Sequence, residues 1–520
     1  MGFLLGESGA FIPDFFSMSA KILSAAMSGI DAELVEVESD VAGGMPSFVV
    51  VGLPDTAVQE SRERVRAALR SGGFAFPTTR LTINLAPADI RKQGPAFDLP
   101  IAVAIMTATG EISPTKTRGR LFLGELSLDG CLRPVPGVLA AALMAKRKGL
   151  NEAYVPAANA AEAALVDGLA VYGVKTLREL TAHLKGEAEL TQEPKPVPAE
   201  PRTVHDFDFA DIAGLEFAKR GVEIAAAGGH NILLSGSPGS GKTLLARAVP
   251  SILPTMTPEE ALEVTKIHSA AGIWRGTALA QERPWRAPHH TASAAAVIGG
   301  GSEPSPGEVT LAHRGVLFLD ELPEFARPVL EGLRQPLEDR EVTVSRSAGT
   351  HRFPARFMLV AARNPCPCGY YGDKERRCEC PANALQRYQR RLSGPLLDRI
   401  DLYVDVPRTP YEKLAQAKSA ESSADVRARV EAARARATAR LKPYGLTTNA
   451  DIPQKLLKKL CPLPPESEAL LLKASSTLKL SPRAIHRSIK LARTIADLAG
   501  RENIEVADSA EALQYRPRIE

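Results

Sequence analysis

Residues 236–243 read GSPGSGKT, so Gly236, Ser237, Pro238, Gly239, Ser240, Gly241, Lys242 and Thr243 match the phosphate-loop pattern of glycine, four variable residues, glycine, lysine and a hydroxyl residue. An apolar strand-like run, 232–234, precedes it and a helical pattern, 244–249, comes after it. In that context the loop's backbone N–H groups wrap around phosphate, and the helix N-terminus adds positive potential. The pattern puts Lys242 on the β- and γ-phosphates and the Thr243 hydroxyl on Mg²⁺, which makes ATP and Mg²⁺ the expected ligands.

Downstream, GVLFLDEL (315–322) is a buried-strand pattern ending in two carboxylates. Ligands in a parallel α/β sheet collect at the carboxyl ends of the strands. There Asp320 would serve the Mg²⁺ shell through water, and Glu321 would polarise the attacking water. A third run, FMLVAAR, ends at Asn364. Its neutral amide could position the lytic water or sense the γ-phosphate without adding charge. Arg399, in LLDRID, and Arg483, opening a helical stretch, carry the guanidinium chemistry that stabilises a phosphoryl group in transfer, often from a neighbouring subunit.

Four of the six cysteines crowd together as Cys366-Pro-Cys368 and Cys378-Glu-Cys380. Four thiolates at that spacing can close a tetrahedral Zn²⁺ site at the base of a β-hairpin, and the alternative is a reduced, metal-free or redox-sensitive loop. Cys131 and Cys461 are isolated and read as structural. His289 and His290 are adjacent with no third ligand near, so a structural or DNA-contacting role is favoured over metal binding.

These groups need elements to hold them. A chain of 520 residues implies about three domains. Hydrophobic residues at 44% and charged residues at 24% fit a globular protein. Sparse cysteines, no secretory signal and no apolar run long enough to span a membrane point to the cytoplasm. Residues 186–203 carry Pro194, Pro196, Pro198 and Pro201 and read as an extended, semi-rigid linker. Before it, strand-like runs (46–52, 81–85, 121–126) alternate with helical patterns (56–70, 99–109, 138–148), an α/β signature. After it, strand candidates 231–235, 316–319 and 357–361 fit a parallel sheet covered on both faces. From Pro407 onward the pattern is helical, with 425–441 and 481–499 the clearest stretches, and a C-terminal bundle is expected.

The formal charge is only +4, yet residues 381–440 hold 12 basic against 7 acidic residues, leaving the remainder at −1. Arg340, Arg346 and Arg352 flank a predicted β-hairpin within 340–357, and Arg283 and Arg286 precede APHHTAS (287–293). Such cations can track phosphates without reading bases.

The phosphate loop, the Asp-Glu pair, the strand-end Asn and the two arginines, in this order, resemble an AAA+ ATPase. The segment 283–302 and the hairpin 340–357 are similar to the helix-2 insert and pre-sensor hairpin of its magnesium-chelatase and replicative-helicase branch. Within that branch, VGLPDTAVQESRERVRAAL (51–69), NLAPADIRKQGPAFDLPIA (84–102), APHHTAS and NPCPCGYYGD (364–373) resemble the ComM/YifB family of magnesium-chelatase-like proteins. The resemblance runs from Met18 to Tyr515. It implies an α/β multidomain chain; residues 1–17 fall outside it and read as a disordered extension or an upstream translation artefact, with Met18 as the candidate initiator. A Lon-protease-like domain of ribosomal S5 type would cover 18–185, then the linker, an AAA+ core over 204–406 and a helical lid over 407–520.

The peptidase of that implied fold uses a Ser–Lys dyad, and the matching positions here do not carry it. Ala96 stands where the nucleophile would be, and Leu139 where the lysine would be, so no peptidase activity is expected. The resemblance also implies a homohexameric ring that translocates on DNA, its hairpins lining the channel. Branch migration in homologous recombination during natural transformation, with recombination proteins as partners and no membrane role, is the activity implied. Arg399 would act across the subunit interface. A chelatase-type motor for metal insertion, a regulatory DNA-binding ATPase and a Lon-like protease are the rival readings, the last opposed by Ala96.

Overall fold

The structure, a computed structural model, describes residues 18–196, 206–276, 278–301, 304–346, 349–373, 375–408 and 421–517, without the side chains of residues 18, 346 and 349. It divides into two compact units. One comprises residues up to Pro198 together with His268–Leu279, and the other comprises Ala199–Ile267 and Ala280 onward.

The first unit is a seven-stranded mixed sheet. Its strands are β1 (Met18–Ser28), β2 (Asp31–Ala42), β3 (Ser47–Val51), β4 (Arg80–Ala86), β5 (Arg120–Phe122), β6 (Glu152–Pro156) and β7 (Ala170–Val174), in the order β3-β4-β2-β1-β5-β6-β7. The β1–β2 and β2–β4 pairs are antiparallel, and the others run parallel. Against the sheet lie α1 (Thr56–Ser71), α2 (Asp98–Ala108) and α3 (Val138–Arg147), close to the helical runs expected from periodicity. Every residue of α2 is buried, including Asp98, whose carboxylate is satisfied by the Arg64 guanidinium and the Leu126 N–H. Ala96 lies in the short turn ahead of α2 and Leu139 is fully buried in α3, so neither offers a reactive atom.

Part of the proline-rich segment is held along the sheet edge. Gln192 pairs antiparallel with Tyr172 of β7, and the Glu193 N–H donates to Val171 O at 2.8 Å. A sheet edge leaves unpaired backbone groups, and the extended chain leaving the last helix satisfies them. The rest of the segment, 197–203, lies outside the described residues.

The second unit is built on a five-stranded parallel sheet. Its strands are β8 (Ile232–Ser235), β9 (Trp285–Arg286), β10 (Val316–Leu319), β11 (Met358–Arg363) and β12 (Leu402–Asp405), in the order β9-β10-β11-β8-β12. The strand β9 comes from the 283–302 segment. Trp285 and Arg286 are part of the main sheet, Trp285 in register with Val316. A two-residue strand with Pro284 and Pro288 close on either side is too short to show a strand period. The predicted hairpin forms as two antiparallel strands, Glu341–Arg346 and Gly349–Pro354.

The C-terminal helices do not enclose a core of their own. Val430 and Ala433 of α4 (Ser423–Leu441), and Leu491 and Ile495 of α5 (Pro482–Leu498), join Ile232, Leu234, Val360 and Leu402 of the sheet in one apolar cluster. Residues 409–420 fall outside the described part, and so does the 1–17 extension.

Candidate active site

The register of the parallel sheet brings the motifs together. Ser235 pairs with Arg363 and Leu319 with Ala361, so Gly236, Asp320 and Asn364 all leave the sheet at its carboxyl edge. The phosphate loop then turns into the helix Lys242–Ile252. Gly241 takes φ +94°, a conformation that side chains strain to adopt, and this swings the loop into the helix N-terminus.

Lys242 folds back over its own loop, its Nζ donating to Gly236 O at 2.7 Å and Ser237 O at 2.9 Å. Burial pulls its pKa below the usual lysine value, partly countered by Asp320 and Glu321. Thr243 Oγ1 donates to Asp320 Oδ2 at 3.0 Å. Those two groups, 77 positions apart in sequence, are therefore adjacent hard-oxygen donors, the set that suits Mg²⁺ bound with phosphate. The metal would neutralise charge on the phosphates when bound.

Glu321 takes a left-handed backbone conformation, φ +51°. For a residue with a side chain this costs of order 1–3 kcal/mol, a strain that clusters at functional sites. Its carboxylate Oε2 lies 3.6 Å from His290 Nδ1, and the His290 ring lies tilted against that of His289 with ring centres 4.1 Å apart. The His pair therefore has a different place from the one expected: His290 faces the candidate general base. The signal was the string APHHTAS, but its meaning depended on β9 lying next to β10. Thr243, Asp320, Glu321 and both histidines line a cavity of about 1400 Å³, with Arg247, Arg283 and Trp285.

Asn364 comes directly after β11, half-buried, next to the start of the phosphate loop, where Gly236 N–H donates to Arg363 O at 3.3 Å. Arg399 is engaged within its own chain, by Glu338 and by Pro395 O at 2.7 Å. Arg483 is exposed in the first turn of α5, while Arg487 one turn on pairs with buried Asp401 at 2.7 Å.

The thiols of Cys366, Cys368, Cys378 and Cys380 all lie within 4.8 Å of one another. The segment carrying them is a run of turns rather than the expected β-hairpin among its described residues. The backbone N–H of Tyr370, with other donors, draws the Cys368 thiol down to about 6. Cys461 is buried, as a structural cysteine should be, but Cys131 is exposed.

Most of the arginines offered as nucleic-acid contacts are spent internally. Arg283 is buried against Glu260 at 2.8 Å and the carbonyl of Pro254, Arg286 is bidentate on Glu308, and Arg340 pairs with Asp451 at 3.2 Å. The basic excess of 381–440 is also largely internal. Arg427 donates to Ser251 O, Arg429 to Glu223 and Glu421, Arg434 to the carbonyls of Ala226 and Ala227, and Arg440 to Asp497. Sequence charge could not distinguish these roles, because an arginine capping a buried carbonyl and one on a surface read alike. Arg352 remains exposed on the hairpin, and the Arg346 side chain is outside the described part.

Three family models match the chain: the ChlI subunit of magnesium chelatase over 208–414, a ChlI subunit model over 37–159, and the ChlI C-terminal region over 420–516. The competence protein ComM of Haemophilus influenzae is 42% identical over 504 residues, 96% of this chain and 98% of the relative. The chain belongs to the ComM/YifB family of magnesium-chelatase-like AAA+ ATPases. An uncharacterized protein of Mycobacterium tuberculosis is 44% identical over 500 residues, 95% of this chain and 98% of its own length. The 67 kDa magnesium-chelatase subunit of Chlorobaculum tepidum is 30% identical over 163 residues, covering 30% of this chain and 23% of that subunit. ATP with Mg²⁺ is the ligand set of this family, and the Thr243–Asp320 contact fits it. Among the described residues no helix is long and apolar enough to cross a membrane.

Proposed function

We propose that this protein is the motor of a homohexameric ring that couples ATP hydrolysis to movement on DNA, most specifically branch migration in recombination during natural transformation. The observation that carries the ATPase part is the 3.0 Å contact between Thr243 and Asp320, with Glu321 the next residue and Lys242 in the same loop. Lys242 and Thr243 hold the phosphates and Mg²⁺, Glu321 orients and deprotonates the attacking water, and His290 holds Glu321 in place. Asn364 reads the γ-phosphate. Arg399 leaves Glu338 to serve the neighbouring subunit's nucleotide, and Arg483 completes the charge on the transferring group. The relative named as a competence protein supports the DNA partner, and Arg352, exposed on the hairpin, is the cation offered to touch it. Such contacts give sequence-tolerant, salt-dependent binding. The four-thiol loop takes Zn²⁺, about one per chain.

The test is ATP-dependent migration of a labelled four-way DNA junction by the wild-type protein and by Lys242→Ala. Migration that needs ATP and vanishes in the variant supports the reading. Robust ATP turnover without migration on any junction defeats the DNA part. It would leave a chelatase-type motor, which the three matching chelatase models favour as second reading.

A further inference from the structure

The loop that carries the cysteines also forms one wall of the phosphate loop. On its inner side the sulfurs of Cys366 and Cys368 are 3.4 Å apart, and each lies 3.6 Å from that of Cys378. A tetrahedral zinc with bonds of about 2.3 Å has sulfur–sulfur edges of about 3.8 Å, so the thiols already stand near ligand spacing. Backbone N–H groups point at the sulfurs, from Tyr371 to Cys366 at 3.3 Å, from Cys368 to Cys380 at 3.4 Å and from Cys380 to Cys378 at 3.4 Å. Such donors stabilise and orient metal-bound thiolates.

The same loop also touches the phosphate loop. Ser237 of the phosphate loop donates its hydroxyl to Asp373 Oδ2 at 2.5 Å. Gly369 has φ +85°, and a Cβ there would lie 2.5 Å from Pro238 Cδ, so the two loops touch backbone to ring. Arg408 donates to Pro238 O at 3.2 Å and reaches over the Tyr370 ring, with Arg376 closer to that ring at 4.2 Å. Two consecutive residues of the phosphate loop are thus met by Gly369 and Asp373, which lie between the cysteines, and by Arg408, which lies over Tyr370.

We propose that the four-thiol loop is a zinc-set brace of the phosphate loop, so that metal occupancy controls nucleotide affinity. The inference rests on the ATPase reading and specifies how its site is regulated. A glycine-rich loop must be ordered before it can wrap phosphate, and that ordering costs binding free energy. Zinc fixes the cysteine loop, because binding and local folding are one equilibrium at such sites. Through Asp373, Gly369 and Tyr370 the fixed loop then confines Ser237 and Pro238.

The experiment measures ATP affinity by titration on the full-length protein in four forms: zinc-loaded wild type, wild type stripped by chelator under reducing conditions, zinc-loaded Asp373→Ala and stripped Asp373→Ala. The zinc-loaded wild type should carry about one zinc and bind ATP, with stripping and Asp373→Ala each weakening ATP by about tenfold. The doubly altered form should be little weaker than either alone, since both changes release the same brace. Asp373→Ala must keep its zinc, which separates loss of the brace from loss of the metal. A stripped protein that is folded by circular dichroism and binds ATP within twofold of the loaded form overturns the coupling alone. So does an Asp373→Ala variant that binds ATP more tightly, or effects that simply add. A loaded wild type that binds no nucleotide overturns the ATPase reading and this proposal with it.

Discussion

At the scale of single residues, the site separates binding from chemistry. On the proposed reading, Lys242 and Thr243 would serve the phosphates and the metal, whereas Glu321 would act on the water. Glu321→Gln should therefore bind ATP about as well as wild type while turnover falls roughly 10²- to 10³-fold, read by steady-state phosphate release beside equilibrium titration. A parallel loss of affinity would mean that Glu321 binds nucleotide and is not the base. His290 lies 3.6 Å from the same carboxylate. His290→Ala should lower kcat by about tenfold with KM within about twofold, the signature of a residue that positions a base. An unchanged kcat would leave the contact without a role.

At the scale of elements, the last helices are joined to each other by buried charge, and to the sheet by apolar packing and the Arg487–Asp401 pair at 2.7 Å. Arg493 and Asp497 of α5 are both almost wholly buried and lie 3.0 Å apart, and Arg440 of α4 reaches Asp497 at 2.6 Å. Removing one partner strands buried charge, so Asp497→Ala should cost about 3–5 kcal/mol in urea unfolding. Leu491→Ala, a fully buried truncation in the shared cluster, should cost about 3 kcal/mol by the same measurement. A loss under about 1 kcal/mol in both variants would show that these helices do not share the core. Arg352, by contrast, is exposed on the hairpin, so Arg352→Ala should leave stability unchanged while weakening DNA binding and lowering its salt dependence. Unaltered binding would take the hairpin out of the DNA path.

At the scale of the whole molecule, buried histidines make the fold acid-sensitive. Burial lowers the pKa of His230, held by Thr494 at 2.8 Å, and of His313, which meets Glu263 at 3.0 Å. The folded state refuses a proton that the unfolded chain accepts near pH 6.5, so stability should fall as pH drops below about that value. Glu263 responds in a lower window. The His313 hydrogen bond, with Arg314, holds its pKa at about 2. Its stabilisation is present above the unfolded value of about 4.3 and is lost as pH falls through the folded value. Melting temperature against pH should show both declines, and His230→Asn should flatten the first; an equally steep decline in that variant would acquit His230. If Arg399 serves a neighbour's nucleotide, mixing inactive Lys242→Ala with inactive Arg399→Ala chains should restore part of the turnover, and no recovery would assign Arg399 to its own chain.

Much of this was open to reading before any fold was known. The phosphate loop, the Asp-Glu pair and the strand-end Asn each depend on residue type at fixed local spacing, because backbone wrapping, charge and a strand's carboxyl end are local demands. The alternating α/β pattern was legible for the same reason, since amphipathic periods are set by 3.6- and 2-residue geometry. The tertiary structure alone decided everything that depends on neighbours distant in sequence. It put two-residue β9 into the sheet and so turned His290 toward Glu321. It folded the arginines of 423–441 onto carbonyls and buried acids rather than into a basic face. It also seated the cysteine loop on Ser237 and Pro238. A sequence shows which groups can make hydrogen bonds and ion pairs; only packing chooses their partners.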